Sequence, residues 1–220
     1  MRPTGIPGVF RENNKLFTEN LESCRGIQVY NEKLVSINDK ELRSWNPYRS
    51  KLAAAILKGL KNINITSKSE ILYLGAATGT TVSHISDIVK DGAVYSVENS
   101  PVALKQLIKL SRKRHNIIPI MADASHPEKY SHIVPHVDFI YQDISQRNQA
   151  DIFIKNVDRY LKKAGYGIMM VKARSIDVSL KPKDAYDMVI NKLIEHKVKI
   201  IKTIDLAPYE KDHVSIMISL

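Results

Sequence analysis

From Glu70 onward the chain alternates short, β-branched apolar runs with stretches of helical period, and the runs end on Gly75, Glu98, Asp143 and Lys172, with a further run beginning at His213. Such alternation predicts an α/β fold in which parallel strands are joined by crossover helices in a doubly wound sheet. The carboxyl ends of parallel strands gather along one edge, where open sheets of this kind hold ligands. Strands are predicted at Glu70 to Gly75, Ala93 to Glu98, Ile117 to Met121, Val137 to Asp143, Tyr166 to Lys172, Val198 to Asp205 and His213 to Leu220. Helices fall between most of them, for example Pro101 to Arg114, with Leu104, Leu107, Ile108 and His115 near one face. The connection from Leu206 to Asp212 is too short for a helical crossover, so the last strand is expected to pair antiparallel and to start, at His213, on the same edge as the parallel tips.

The first 45 residues read differently. Lys15-Leu-Phe-Thr, Gly26-Ile-Gln-Val-Tyr30 and Lys33-Leu-Val-Ser-Ile37 are short β-rich pieces separated by turns containing Asn and Asp. A small antiparallel module over residues 1–45 is therefore expected ahead of a main domain over 46–220, a division that suits 220 residues with 44% hydrophobic content. Asn46-Pro47 supplies a helix cap and a first-turn proline, after which Leu52, Ala55, Ile56 and Leu60 recur at helical spacing with Lys51 at the margin of the stripe.

Lys and Arg exceed Asp and Glu by ten, a balance that favours a polyanionic partner held through its phosphates. The run Lys105, Lys109, Arg112, Lys113 and Arg114 reads equally well as a phosphate grip and as a solvated helix face. A single cysteine, Cys24, excludes an internal disulfide and any multi-cysteine metal site, and no metal is expected. No stretch approaches the roughly 18 apolar residues that cross a bilayer, and the N-terminus lacks the apolar core of a signal peptide. The expectation is a cytoplasmic protein without a membrane partner.

Gly75-Ala-Ala-Thr-Gly79-Thr-Thr81 joins a strand to a helix beginning around Thr81. Its Gly-x-x-x-Gly spacing departs from the dinucleotide fingerprint and lacks the lysine of a phosphate-cradling loop, which disfavours nicotinamide and nucleoside triphosphate ligands. Glu98, at the end of the next strand, is placed to accept hydrogen bonds from the ribose hydroxyls of an adenosine, and Asp123-Ala124 after the third strand can address its adenine. Adenosine carried without phosphate points to S-adenosylmethionine. A lysine buried at an apolar strand tip needs an anion, so Asp143 is the predicted partner of Lys172, either as a structural ion pair or beside a hydroxyl that accepts a methyl group.

Five stretches carry a likeness: Pro7-Gly-Val-Phe10, Arg43-Ser-Trp-Asn-Pro-Tyr-Arg-Ser-Lys-Leu-Ala-Ala-Ala55, the Gly75-to-Thr81 loop, Asp143-Ile-Ser-Gln-Arg-Asn-Gln-Ala150 and Val171-Lys-Ala-Arg-Ser-Ile-Asp177. Together they resemble the fibrillarin family, specifically its compact archaeal-type RNA 2′-O-methyltransferases. The resemblance implies a Rossmann-like methyltransferase fold with a seven-stranded mixed sheet. It places the family's catalytic Lys-Asp-Lys-His set on Lys51, Asp143, Lys172 and His213. It places cofactor contacts on Gly75, Ala76, Thr80, Thr81, Glu98, Asn99, Asp123, Ala124, Asp143, Ile144 and Gln146. Implied partners are a box C/D guide RNA with its target RNA, a Nop-domain scaffold protein and a kink-turn-binding ribosomal-type protein. Rival expectations are a methyltransferase of the same fold acting on a base nitrogen or on protein, and an idle RNA-binding subunit.

Overall fold

In the computed structural model, which describes residues 1–220, the amino-terminal strands form an antiparallel sheet. These are β1 (Arg2–Pro3), β2 (Val9–Glu12), β3 (Lys15–Glu19), β4 (Leu34–Ile37) and β5 (Lys40–Trp45), in the order β1-β2-β3-β5-β4. The β4–β5 hairpin turns on Asn38 and Asp39, both with positive φ, as a two-residue turn matched to strand twist requires. The expected strand at Gly26 to Tyr30 does not form. There the Glu32 carboxylate accepts the backbone N–H groups of Val29 and Tyr30, donors that a ladder would need.

Helix α1 (Lys51–Leu57) begins later than its sequence signal. Asn46 instead closes a tight turn by accepting the N–H of Tyr48, and Ser50 takes over as the cap, accepting from Ala53. The helix also stops short of Leu60, although Leu60 is buried.

The main sheet is built from β6 (Glu70–Leu74), β7 (Ala93–Glu98), β8 (Ile117–Met121), β9 (Val137–Gln142), β10 (Leu161–Lys172), β11 (Lys199–Asp205) and β12 (His213–Ser219). Their order is β11-β12-β10-β9-β6-β7-β8, with β12 antiparallel to both neighbours as the short last connection requires. Between the strands run α2 (Thr80–Ile88), α3 (Pro101–Ser111), α4 (Gln149–Tyr160), α5 (Ala173–Ile176) and α6 (Pro182–Glu195). Both sheet faces are covered, and alternate residues of one strand enter different cores. Ile71 and Tyr73 face one apolar cluster, and Leu72 and Leu74 face the other.

A buried polar cluster clamps the small sheet onto α2. Arg43 of β5 pairs with Glu32 at 2.6 Å and with Asp87 at 2.8 Å, while Arg114, just past α3, pairs with Asp87 and donates to Asn20 at 2.6 Å. Arg114 is thus an interior counter-ion, which removes it from the basic surface run. Its charge leaves water because two guanidinium groups balance two carboxylates there. Thr18 spends its one proton on Asp87, so neutral His84 donates from Nδ1 to Thr18, while its Nε2 lies 2.6 Å from the Tyr30 hydroxyl, which also lies 3.0 Å from the Ser44 carbonyl. Burial and the two guanidinium groups hold His84 well below its ordinary pKa, which keeps this neutral form. Trp45 stacks on its ring. Through these contacts the amino-terminal sheet holds the helix that follows the glycine turn.

Candidate active site

The glycine turn is shaped by its neighbours as much as by any ligand. Gly75 has φ +82, and a Cβ there would lie 2.5 Å from the Asp143 carbonyl oxygen. Glycine therefore lets the tip of β6 close against the end of β9, where the Asp143 N–H donates to the Leu74 carbonyl. Gly79, at φ +94, permits α3 to pack against the start of α2, since a Cβ would meet Leu110. Between them Ala77 also has positive φ and donates its N–H to Glu98.

Beside this turn lies a cavity of about 290 Å³ bounded by the tips of β6, β7, β8 and β9. Of the residues expected to contact a cofactor, Gly75, Glu98, Asn99, Asp123, Ala124, Asp143, Ile144 and Gln146 line it. Ala76, Thr80 and Thr81 do not. Ala76 and Thr81 are buried, and the Thr81 hydroxyl is committed to Ser50 at 3.0 Å. Ser145 also lines the cavity, inside the expected Asp143-to-Gln146 segment, whereas Ala77, Val97 and Ala122 line it without having been singled out. None of these three bears a diagnostic side chain, and the only available signal was that each stands next to a residue expected to contact the cofactor.

Glu98 is buried and oriented by two backbone donors, Ala77 to Oε2 and Ser100 to Oε1, each at 2.7 Å. Each oxygen keeps a lone pair for a further donor, which suits a ribose diol. Asp123 accepts from the N–H and hydroxyl of Ser125, and those bonds hold its carboxyl below the usual range. Three carboxylates and no lysine or arginine line the cavity. Such a wall repels phosphate and attracts a cation, so the donor set fits S-adenosylmethionine, an adenosine bearing sulfonium charge.

The expected ion pair between Asp143 and Lys172 is absent, and Lys51 takes the place of Lys172. Lys51 Nζ lies 2.8 Å from Oδ1 and 3.0 Å from Oδ2 of Asp143, with both side chains about four-fifths buried. The strand register explains the exchange. Met169 pairs with Gln142, so β10 continues past the level of Asp143 before reaching Lys172. That carries Lys172 roughly 7 Å beyond the carboxylate along the strand direction. Lys172 instead pairs across the ladder with His213. The His213 Nδ1 lies 2.7 Å from the Lys211 carbonyl, which can only accept, so Nδ1 carries the proton and Nε2 the lone pair in the neutral ring.

Lys51, Asp143, Lys172 and His213 thus share the edge of the sheet next to the cavity. Asp143 also lines that cavity, making it the joint between a ligand-holding half over β6 to β8 and an open half over β10 and β12. A larger cleft of about 590 Å³, lined by Glu19, Glu22, Asp91 and His115 among others, lies at the opposite ends of β6 to β8. No strand carboxyl ends converge there, and the chemistry is assigned to the smaller cavity.

Comparison with known proteins returns similarity over nearly the whole chain. The fibrillarin family model matches residues 4–220. The chain is 47% identical over 219 residues to a fibrillarin-like rRNA/tRNA 2′-O-methyltransferase of Methanosarcina barkeri, covering 98% of this chain and 96% of that protein. Among solved structures it is similar to Aeropyrum pernix fibrillarin in complex with natively bound S-adenosyl-L-methionine, with TM-score 0.84, 39% identity and coverage of 99% and 100% of the two chains. It is also similar to a chain of a fibrillarin/Nop5p complex, with TM-score 0.86, 44% identity and 96% of each chain covered.

Proposed function

The chain belongs to the fibrillarin family, and we propose on that premise that it is the catalytic subunit of a box C/D ribonucleoprotein, transferring methyl groups from S-adenosylmethionine to ribose 2′-hydroxyls of rRNA and tRNA. The observation that carries this reading is the Lys51–Asp143 pair at the boundary between a carboxylate-lined cavity and an open, cation-bearing strand edge.

When bound, the cofactor supplies a methyl group activated by the positive charge on its sulfur. Glu98 accepts from the ribose hydroxyls of the cofactor, the Asp123-Ala124 segment borders its adenine, and Asp143 faces the sulfonium. Lys51 holds that carboxylate still. Lys172 has no carboxylate partner and orients the attacking 2′-oxygen, while His213, opposite it in the ladder, offers the Nε2 lone pair to the departing proton. As the carbon–sulfur bond breaks, the carbon–oxygen bond forms in line, and positioning supplies much of the acceleration.

No side chain of the site is arranged to read base edges, so target choice falls to a guide RNA paired with the substrate. Support for a Nop-domain scaffold comes from the fibrillarin/Nop5p complex formed by a relative, and a kink-turn-binding protein completes the assembly implied by the family. The exposed cations Lys105, Lys109 and Arg112 then engage phosphates without sequence preference. Residues 1–45 brace the glycine-turn helix, and residues 46–220 carry the chemistry. No helix is long and apolar enough to cross a membrane, and a cytoplasmic location accompanies this reading.

A labelled-methyl assay with and without the guide assembly tests the proposal. Digestion to nucleosides should return label as 2′-O-methylated species, and label on base nitrogens or on protein would overturn it.

A further inference from the structure

Beside the open half of the site stands an aromatic pair that the chemistry above does not use. Tyr48 lies three residues before Lys51, in the turn closed by Asn46. It is 64% exposed, whereas every other aromatic residue of the chain is buried or half-buried. Its ring packs edge-to-face with Tyr209, with centroids 5.2 Å apart and planes inclined at 68°. Tyr209 belongs to the connection from β11 to β12, four residues before His213. It is half-buried against the main core, and its N–H donates to the Leu206 carbonyl at 3.0 Å. The pair therefore spans the two segments that deliver Lys51 and His213 to the sheet edge.

A lone exposed aromatic residue needs no explanation by itself. Tyr48 differs because its ring is braced by an anchored neighbour, so a contact there gives up little side-chain freedom. Two exposed cations adjoin the pair in sequence, Arg49 after Tyr48 and Lys211 two residues past Tyr209. The acid between them, Glu210, turns inward, with Oε2 3.9 Å from Nδ1 of His213. A flat apolar ring set among cations suits the sugar-phosphate surface of RNA. In an A-form duplex of guide and target, the 2′-hydroxyls line a wide, shallow minor groove. A ribose presented to Lys172 and His213 carries the neighbouring sugars of that groove with it. Three residues span at most roughly 10 Å, which puts Tyr48 beside the reacting oxygen and not upon it. Resting on the function just proposed, we propose that Tyr48, braced by Tyr209, docks the minor groove of the guide–target duplex, its ring lying on the sugar of a nucleotide next to the one methylated.

The test uses the assembled guide complex containing the native chain, Tyr48→Ala or Tyr48→Phe. Hydroxyl-radical cleavage of the target strand reads the exposure of each sugar, and single-turnover transfer reads the rate. The native complex should protect one or two sugars beside the target nucleotide. Tyr48→Ala should lose that protection and slow transfer on the order of tenfold, a loss typical of truncating an aromatic anchor. Tyr48→Phe should retain both, since the contact is made by the ring. Cofactor affinity and melting temperature should stay close to native in both variants, because Tyr48 lies outside the cavity lining and is mostly exposed. An identical cleavage pattern in Tyr48→Ala overturns the inference, as does release of the Nop-domain protein from that variant, which would make the face a protein contact. If the native complex places no methyl on ribose while Tyr48→Ala still uncovers the neighbouring sugars, the docking contact stands and the proposed function fails.

Discussion

The Lys51 ammonium bridges both oxygens of the Asp143 carboxylate, at 2.8 and 3.0 Å, and so joins the first turn of a short helix to the end of the central strand. This bidentate contact leaves Lys172, the more conspicuous lysine in the sequence, without an acidic partner. The two lysines therefore have separable effects.

Lys172→Ala should abolish methyl transfer and leave S-adenosylmethionine binding nearly unchanged, because Lys172 lies outside the cavity lining. Single-turnover transfer and calorimetry on the same variant check both halves. Transfer at the native rate would remove Lys172 from its assigned role.

Lys51→Ala should also stop transfer, but with a loss of stability that Lys172→Ala does not share. It strands a largely buried carboxylate, which costs about 1–3 kcal/mol. Urea unfolding of the two variants side by side should show that difference.

Glu98→Gln retains one acceptor oxygen and forfeits the charge that strengthens bonds from a ribose diol. Cofactor affinity should drop roughly tenfold to a hundredfold, the range for one charge-assisted hydrogen bond. Calorimetric titration reads this directly, and an unaltered affinity would mean that the ribose sits elsewhere.

Arg43→Met leaves Asp87 and Glu32 with a missing counter-ion in a site where both acids are almost wholly buried. Breaking a buried pair from one side costs about 3–5 kcal/mol. For a chain of this size, that corresponds to a melting temperature lower by roughly 6–20 °C. The variant should also bind cofactor less well, since the helix following the glycine turn loses its clamp.

Acid should weaken the fold through His84. Its folded pKa lies well below the ordinary value because burial, and then Arg43 and Arg114, penalise the imidazolium. The unfolded chain therefore takes up a proton near pH 6.5 that the native state refuses. Stability is complete above that pH and falls as pH drops below it, by up to about 1.4 kcal/mol per unit. Denaturant unfolding at pH 7.0, 6.0 and 5.5 should follow this slope, and His84→Gln should flatten it.

Much of the architecture was legible because strand and helix periods are local properties. The seven main strands, the antiparallel last pair and the polar tips at Gly75, Glu98, Asp143, Lys172 and His213 all follow from residue spacing and connection length. The small sheet was less legible. Glu32 diverts the donors of residues 29 and 30, and a residue's diversion by a side chain is invisible to propensity.

What the chain determined by itself is the order of its elements and the chemical type of residue at each strand end, since pleat, turn and helix period act over a few neighbouring residues. Tertiary structure alone decided who pairs with whom. Asp143 meets Lys51 because β10 overshoots it. Arg114 turns inward because Asp87 and Asn20 are there to receive it, and the Thr81 hydroxyl is spent on Ser50 and not on the cavity. Each outcome depends on distances between segments far apart in sequence, and a charged or hydroxyl side chain takes whichever buried partner the completed packing brings within about 3 Å.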